Sequence, residues 1–552
     1  MLNRRAPWVL LPVFILVFYF SLVRDNPRRW TPSALILHPA PSPEPAAAIQ
    51  PAQPVPTAPA RPVPTAPAQP VPTAGELQPA AAEFSYPQDY YDPPRDDHWC
   101  ESWFSSKYLD YLASHHVEYC EPDSTSTLKC FRTHHNDPLC LARGVVLDRA
   151  RIDQGRNDTA MNCRLRNFTT ESSMSDALAA ELDGIVNVED MNDYFWDTGV
   201  KGQLTHWDML ASGDETASCN AVDNDNKWTI LTKREGNNNI WHKLVELWQV
   251  LISLDLLQIA INPETKRPYL SAMDVPKVQV IVEDDDDSIL EPWWTMLTGS
   301  VPLRKSKMEP SCLGNVILPL AGSSSPFWQG HWEPRDCHDT FLLDSCIRRL
   351  YRHLGIDSAP PKKDKVTVTL IQRQGSTRKI FNMERYVRRL EQRWPDVAFQ
   401  IVHLEEVPLN DQVTLFRNTD VLVGTMGAGL TAMLWLERES SAVEFMAPDG
   451  DYCGFRNLAK WKKLHYFTKH GIDIQALNQT HEEWVAKAEK SNAKQSGGQQ
   501  LNGSPEVERR HWQADEWFYI EEDAFITIVE AAIYAQLNKG LAKADVVPRP
   551  SG

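Results

Sequence analysis

The stretch VTVTLIQRQGSTRKIFN at residues 366–382, with LFRNTDVLVGTMGAGLTAMLWL following at 415–436, decides the reading of the fold. Each holds a short apolar run that breaks at a turn carrying glycine. Similar apolar runs recur at 399–404, 442–446 and 464–468, and helical spacing fills the gaps at 382–394, 409–418, 429–437 and 454–461. Apolar strands alternating with helices predict a parallel sheet with helices on both faces.

Three features of that region could carry chemistry. In GTMGAG, residues 424–429, glycines let backbone N–H groups approach an anion, and the helix expected after them adds partial positive charge. A diphosphate would suit the place, and so would a tight turn with no ligand. Arg373 ends the first strand and Arg378 lies in the next loop. Ligands of doubly wound sheets sit beyond the strand carboxyl ends, where two guanidiniums can clamp phosphate. A solvated basic loop is the other reading. Glu444 stands inside SAVEFM among apolar neighbours, costly unless a ribose hydroxyl pair or a basic side chain satisfies it.

Residues 98–360 are mixed and rich in tryptophan and cysteine. NIWHKLVELWQVLISLDLL, 239–257, predicts a long helix capped by Asn237 to Asn239. His242 and Glu246 are four residues apart, hence on one face. The pair is a general-base arrangement or a structural one. The strand VQVIV, 278–282, runs into EDDDD, 283–287. Asp284 and Asp286 have the spacing of a metal-binding DxD, which would make Mn²⁺ or Mg²⁺ a cofactor. Like charges after a strand also read as a solvated loop, with no metal required.

The N-terminal region reads as an address. After a short tail, 1–5, the uncharged run 6–23 would form a helix of roughly 27 Å, enough for one pass of a thin bilayer as a signal anchor. No small-x-small cleavage site follows closely. Residues 24–97 are a stem in which PVPTA recurs at 54–58, 62–66 and 70–74, a polyproline II composition. Sequons at Asn157, Asn167 and Asn478 and an even count of 10 cysteines suit a lumenal, disulfide-forming compartment, Golgi or endoplasmic reticulum. Residues 487–512 form a polar loop, and a helical segment within 515–540 is expected to cross back over the lobes. A net charge of −17 excludes a nucleic-acid partner.

Together, the quoted stretches 366–382 and 415–436, VEFMAPDGDYC (443–453), LHYFTK (464–469) and NIWHKLVE (239–246) resemble glycosyltransferase family 61. The resemblance is greatest to its EGF-domain-specific O-linked N-acetylglucosamine transferase branch. It implies a GT-B-like α/β fold of two Rossmann-type lobes, 98–360 on the acceptor side and 361–475 for the donor. It implies inverting transfer from a UDP-sugar, N-acetylglucosamine ahead of xylose, to a glycoprotein or polysaccharide acceptor as the lobes close. It puts Arg373, Arg378, Gly427, Ala428, Gly429, Leu430 and Glu444 at the donor, and His242 or Glu246 in the catalytic role. The family's usual residue before GAGL is His, where this chain has Met426. That departure motivates the alternative of an inactive, glycan-binding or scaffolding member.

Overall fold

The computed structural model describes Tyr90 and residues 98–540, apart from 193–196, 211–226, 237–238, 329–332, 339, 358, 362, 376, 449, 475–479, 482 and 485–516. All of them belong to one compact unit, 79–552. The predicted anchor, Asn478 and the loop 487–512 lie outside the described residues, as does the stem except for Tyr90. Among the described residues no helix is long and apolar enough to cross a membrane.

The first sheet has nine strands: β1 (His116–Glu118), β2 (Thr127–Phe131), β3 (Leu139–Leu147), β4 (Thr159–Met161), β5 (Trp207–Met209), β6 (Trp228–Thr232), β7 (Gln279–Val282), β8 (Leu303–Arg304) and β9 (Ser311–Leu318). Its main order is β1-β2-β3-β9-β6-β7-β8. From β9 to β8 the pairing is parallel. The crossovers there carry the helices Ile240–Ile259 and Glu291–Thr298. From β1 to β9 it is antiparallel. This half is pinned by the disulfides Cys120–Cys163 and Cys130–Cys140, the latter joining residues opposite each other in β2 and β3. The first sheet is thus only half parallel.

The second sheet is wholly parallel, in the order β12-β10-β13-β14-β15. Its strands are β10 (Thr367–Ile371), β12 (Ala398–Val402), β13 (Val421–Thr425), β14 (Ser441–Met446) and β15 (His465–His470). A small pair, β11 (Lys379–Ile380) and β16 (Trp517–Phe518), stands apart. Every residue of β13 and β14 is buried, as strands covered on both faces require. The last helix, Glu522–Leu537, does not bridge the sheets as expected. Its buried Phe525, Ile526, Val529 and Ile533 pack with Val368, Val423 and Phe445 of the second sheet.

One apolar core joins the two sheets. Trp248, Trp293 and Phe341 share it with Leu422, Leu434 and Trp461. The helix Ile240–Ile259 is buried on almost every side because it is packed between layers. An interface this apolar argues against two freely hinged lobes.

Candidate active site

The second sheet's order is second-first-third-fourth-fifth, so the chain leaves β10 toward one edge and β13 toward the other. The crevice opens where those carboxyl ends diverge. Arg373, Thr425, Gly427, Gly429 and Leu430 line a pocket there. Gly427 has φ 143° and ψ −178°, a region essentially restricted to glycine. A Cβ on it would sit 2.7 Å from Arg378 Nη1 and 3.6 Å from Arg373 Nη1. Both guanidiniums therefore converge on the turn. Arg378 itself is left-handed at φ 57° and donates through Nη1 to the Met426 carbonyl at 3.0 Å. Burial, then the neighbouring Arg373, push the Arg378 guanidinium down to about 10. Arg373 is also lowered by burial, partly offset by Glu405, which lines the same pocket. Two half-buried cations held side by side make a site that an anion would relieve.

The sequence-predicted residues fall into place unevenly. Ala428 opens a 3-10 helix, Ala428–Trp435, rather than an α-helix. Met426 is half-buried against the shared core. Glu444, one strand over and opposite Gly424, does not line the pocket. Its carboxylate is fully buried, accepts from the Tyr466 hydroxyl at 2.5 Å, and is pushed up to about 7 by burial. Its Oε1 has no partner among the described residues.

In the first sheet, His242 stands at the start of the helix Ile240–Ile259, just beyond the carboxyl end of β6. Asn239 caps that helix by accepting from the Trp241 N–H at 3.0 Å. The helix also packs against Ala428–Trp435, which brings it to the glycine turn's own helix. The carboxylate beside His242 is Glu235, not the expected Glu246. Glu235 Oε2 lies 2.6 Å from His242 Nδ1. Glu246 is 3% exposed and accepts the Glu235 N–H at 2.9 Å. Burial pushes its carboxyl up to about 8, and its Oε2 has no partner among the described residues. Glu235 was invisible to pattern reading, because the contact crosses a loop and has no helical period.

Of the two metal candidates, Asp284 is engaged through its carboxylate and Asp286 only through its backbone carbonyl. Arg234 Nη2 lies 2.5 Å from Asp284 Oδ1 and its Nε donates to Asp284 Oδ2 at 3.0 Å, while the Asp286 carbonyl accepts from Nη2 at 2.6 Å. No group of three metal-ligating side chains occurs among the described residues. Asn167 is exposed and caps Phe168–Ser172, whereas the Asn157 amide donates to Asp208 at 3.0 Å.

Residues 317–443 match the family profile described as Glycosyltransferase 61. The chain is 28% identical over 170 residues to the EGF domain-specific O-linked N-acetylglucosamine transferase of Drosophila melanogaster, covering 30% of this chain and 31% of that one. It is 31% identical over 134 residues to the protein of the same name from Canis lupus familiaris, covering 24% and 25%. Over 138 residues it is 30% identical to that of Mus musculus, also covering 24% and 25%. The chain thus matches less than a third of the length of these relatives. The matched segment runs from the end of β9 into β14 and contains both arginines and the glycine turn. Residues 317–443 are therefore the part of this chain that is similar to glycosyltransferase 61.

Proposed function

We propose that this chain is an inverting glycosyltransferase that takes a sugar from a UDP donor in the secretory lumen. The observation that carries the reading is the convergence of Arg373 and Arg378 on Gly427 at the switch point between β10 and β13. Cations fixed before the ligand arrives cost little reorganisation when charge develops on a departing diphosphate. The two sheets would act as the lobes of a GT-B-like enzyme, residues 98–360 and 361–475. The first would bring His242 to the acceptor hydroxyl as general base. Glu246 is too buried for that role. Glu444 is fully buried outside that pocket, so in this reading it supports the strand beside the donor site rather than touching the donor.

N-acetylglucosamine is the sugar that the relatives' name favours, ahead of xylose, and an EGF-type domain is the first acceptor to try. Residues 6–23 would anchor the chain in a Golgi or endoplasmic reticulum membrane, with the body in the lumen. Three disulfides among the described residues support an oxidising compartment.

The test uses the full chain in detergent with a panel of UDP-sugars, UDP-N-acetylglucosamine and UDP-xylose included. UDP binding is read by calorimetry and turnover by UDP release, with and without EGF-type domains. Binding with turnover is the expected result. Absence of both binding and turnover overturns the reading. Binding without turnover on any acceptor selects the scaffold alternative that Met426 motivates. Against that alternative, the Arg378 contact at this position uses only the Met426 backbone carbonyl, so it does not depend on the side chain.

A further inference from the structure

Three early side chains of the helix Ile240–Ile259 all hold one residue of the loop before it. His242 Nδ1 meets the Glu235 carboxylate at 2.6 Å. Lys243 Nζ donates to the Glu235 carbonyl. Glu246 accepts the Glu235 N–H at 2.9 Å. Glu235 is thus fixed at its side chain, carbonyl and amide by a single rigid element, and it is 2% exposed. A casual surface ion pair has no such support.

We propose that Glu235 is the positioning residue for His242, and that Glu246 serves Glu235 rather than the substrate. The inference rests on the transferase reading above. An ionised carboxylate oxygen can only accept, so it assigns the ring hydrogen to Nδ1 and leaves the lone pair on Nε2. Trp328 meets the imidazole edge-on at 4.9 Å and limits its tilt. Glu246 is sealed in by Gly322, where a Cβ would stand 2.9 Å from the Glu246 Cα. That leaves Glu246 no approach for a sugar or peptide, while its one made bond orients the Glu235 backbone.

In the reaction, the acceptor hydroxyl gives its proton to His242 Nε2 as its oxygen bonds to the anomeric carbon. The bond from that carbon to the diphosphate oxygen breaks, and its electron pair leaves on UDP between Arg373 and Arg378. The imidazolium formed faces the Glu235 carboxylate through Nδ1–H, then returns its proton to solvent. A second group orienting the base is a recurrent device for such steps.

The experiment measures kcat, donor KM and UDP affinity for Glu235→Gln, His242→Ala and the double variant, in the full chain. Glu235→Gln should lower kcat by about 10- to 100-fold, the usual effect of losing an outer partner that orients a histidine, with KM and UDP affinity little changed. In the His242→Ala background the same change should cost nothing further, because the two side chains act as one unit. A merely structural glutamate would lower activity in both backgrounds. Unchanged kcat in Glu235→Gln, or a full further loss in the double variant, overturns the assignment while the transferase reading stands. Absence of both UDP binding and turnover in the unaltered chain overturns the two together.

Discussion

At the scale of single residues, the site is built from charges held where water screens them poorly. Arg378 is the clearest case, a guanidinium lowered by burial and by its neighbour, with a backbone carbonyl fixing its direction. A charge-assisted hydrogen bond contributes about 1.5–3 kcal/mol, or roughly 10- to 150-fold in affinity. Arg378→Ala should therefore weaken UDP binding at least tenfold by calorimetry, and an unchanged affinity would remove the phosphate from this turn. Glu246 gives a second prediction, in stability. Its carboxyl is raised from 4.5 to about 8 in the folded chain. Between those values the folded state keeps a proton that the unfolded state has released. Stability thus falls as pH rises through that window and levels off above it. Glu444, raised to about 7, contributes in the same direction. Thermal melts from pH 5 to 8.5 should decline, and Glu246→Gln should flatten the decline. Parallel curves would show that Glu246 does not hold the proton. Arg373 and Glu444 stand out in the sequence because a charge at the end of or inside an apolar strand is out of place, and Arg378 because it lies in the loop that follows the first strand. Glu235 was not, since only folding brings it to His242.

At the scale of elements, the parallel sheet was the legible part. Its strands are covered on both faces, so they read as plain apolar runs, and the observed β10, β12, β13, β14 and β15 fall within two residues of them. The segment after the glycine turn was read as an α-helix but forms a 3-10 helix. AGLTAMLW has almost no polar face to turn to solvent, and all six residues from Leu430 to Trp435 are buried, so packing rather than helical period sets its path. The antiparallel half of the first sheet was not legible. Several of its strands are three residues long, too short for a period to show, and disulfides supply part of its hold. The glycine turn itself makes a sharp demand. Gly427 combines a glycine-only backbone with arginine atoms where a side chain would begin. Gly427→Ala should cost about 1–3 kcal/mol of stability and displace Arg378. Chemical denaturation and UDP titration check the two effects. An alanine variant with native stability and affinity would mean that the turn can relax without its glycine.

At the scale of the whole molecule, the first helices of the folded body are tied to elements far along the chain. Phe104 packs on Phe327 and, with ring centroids 4.9 Å apart, on Trp461 from the second sheet's helix Gly454–Trp461. Cys100, one turn earlier, is bonded to Cys337 across a sequence separation of 237. Both cysteines lie in the core that the two sheets share. The contacts that close this core are therefore the most distant in sequence, and the entropy of bringing them together is large. Crosslinking so long a loop restricts the unfolded chain by on the order of 5 kcal/mol, of which 2–5 kcal/mol is usually realised. Cys337→Ser should accordingly lower the melting temperature much more than Cys346→Ser, which alters a buried cysteine of the same core outside that disulfide. Calorimetric scans of the two variants beside the parent make the comparison. Because the core is continuous, the parent and Cys346→Ser should melt in one transition. Loss of the staple should release the first helices ahead of the parallel sheet and split or broaden that transition. Equal shifts for the two serine variants would mean that apolar packing alone joins the sheets, and that the bond is dispensable once the core has formed.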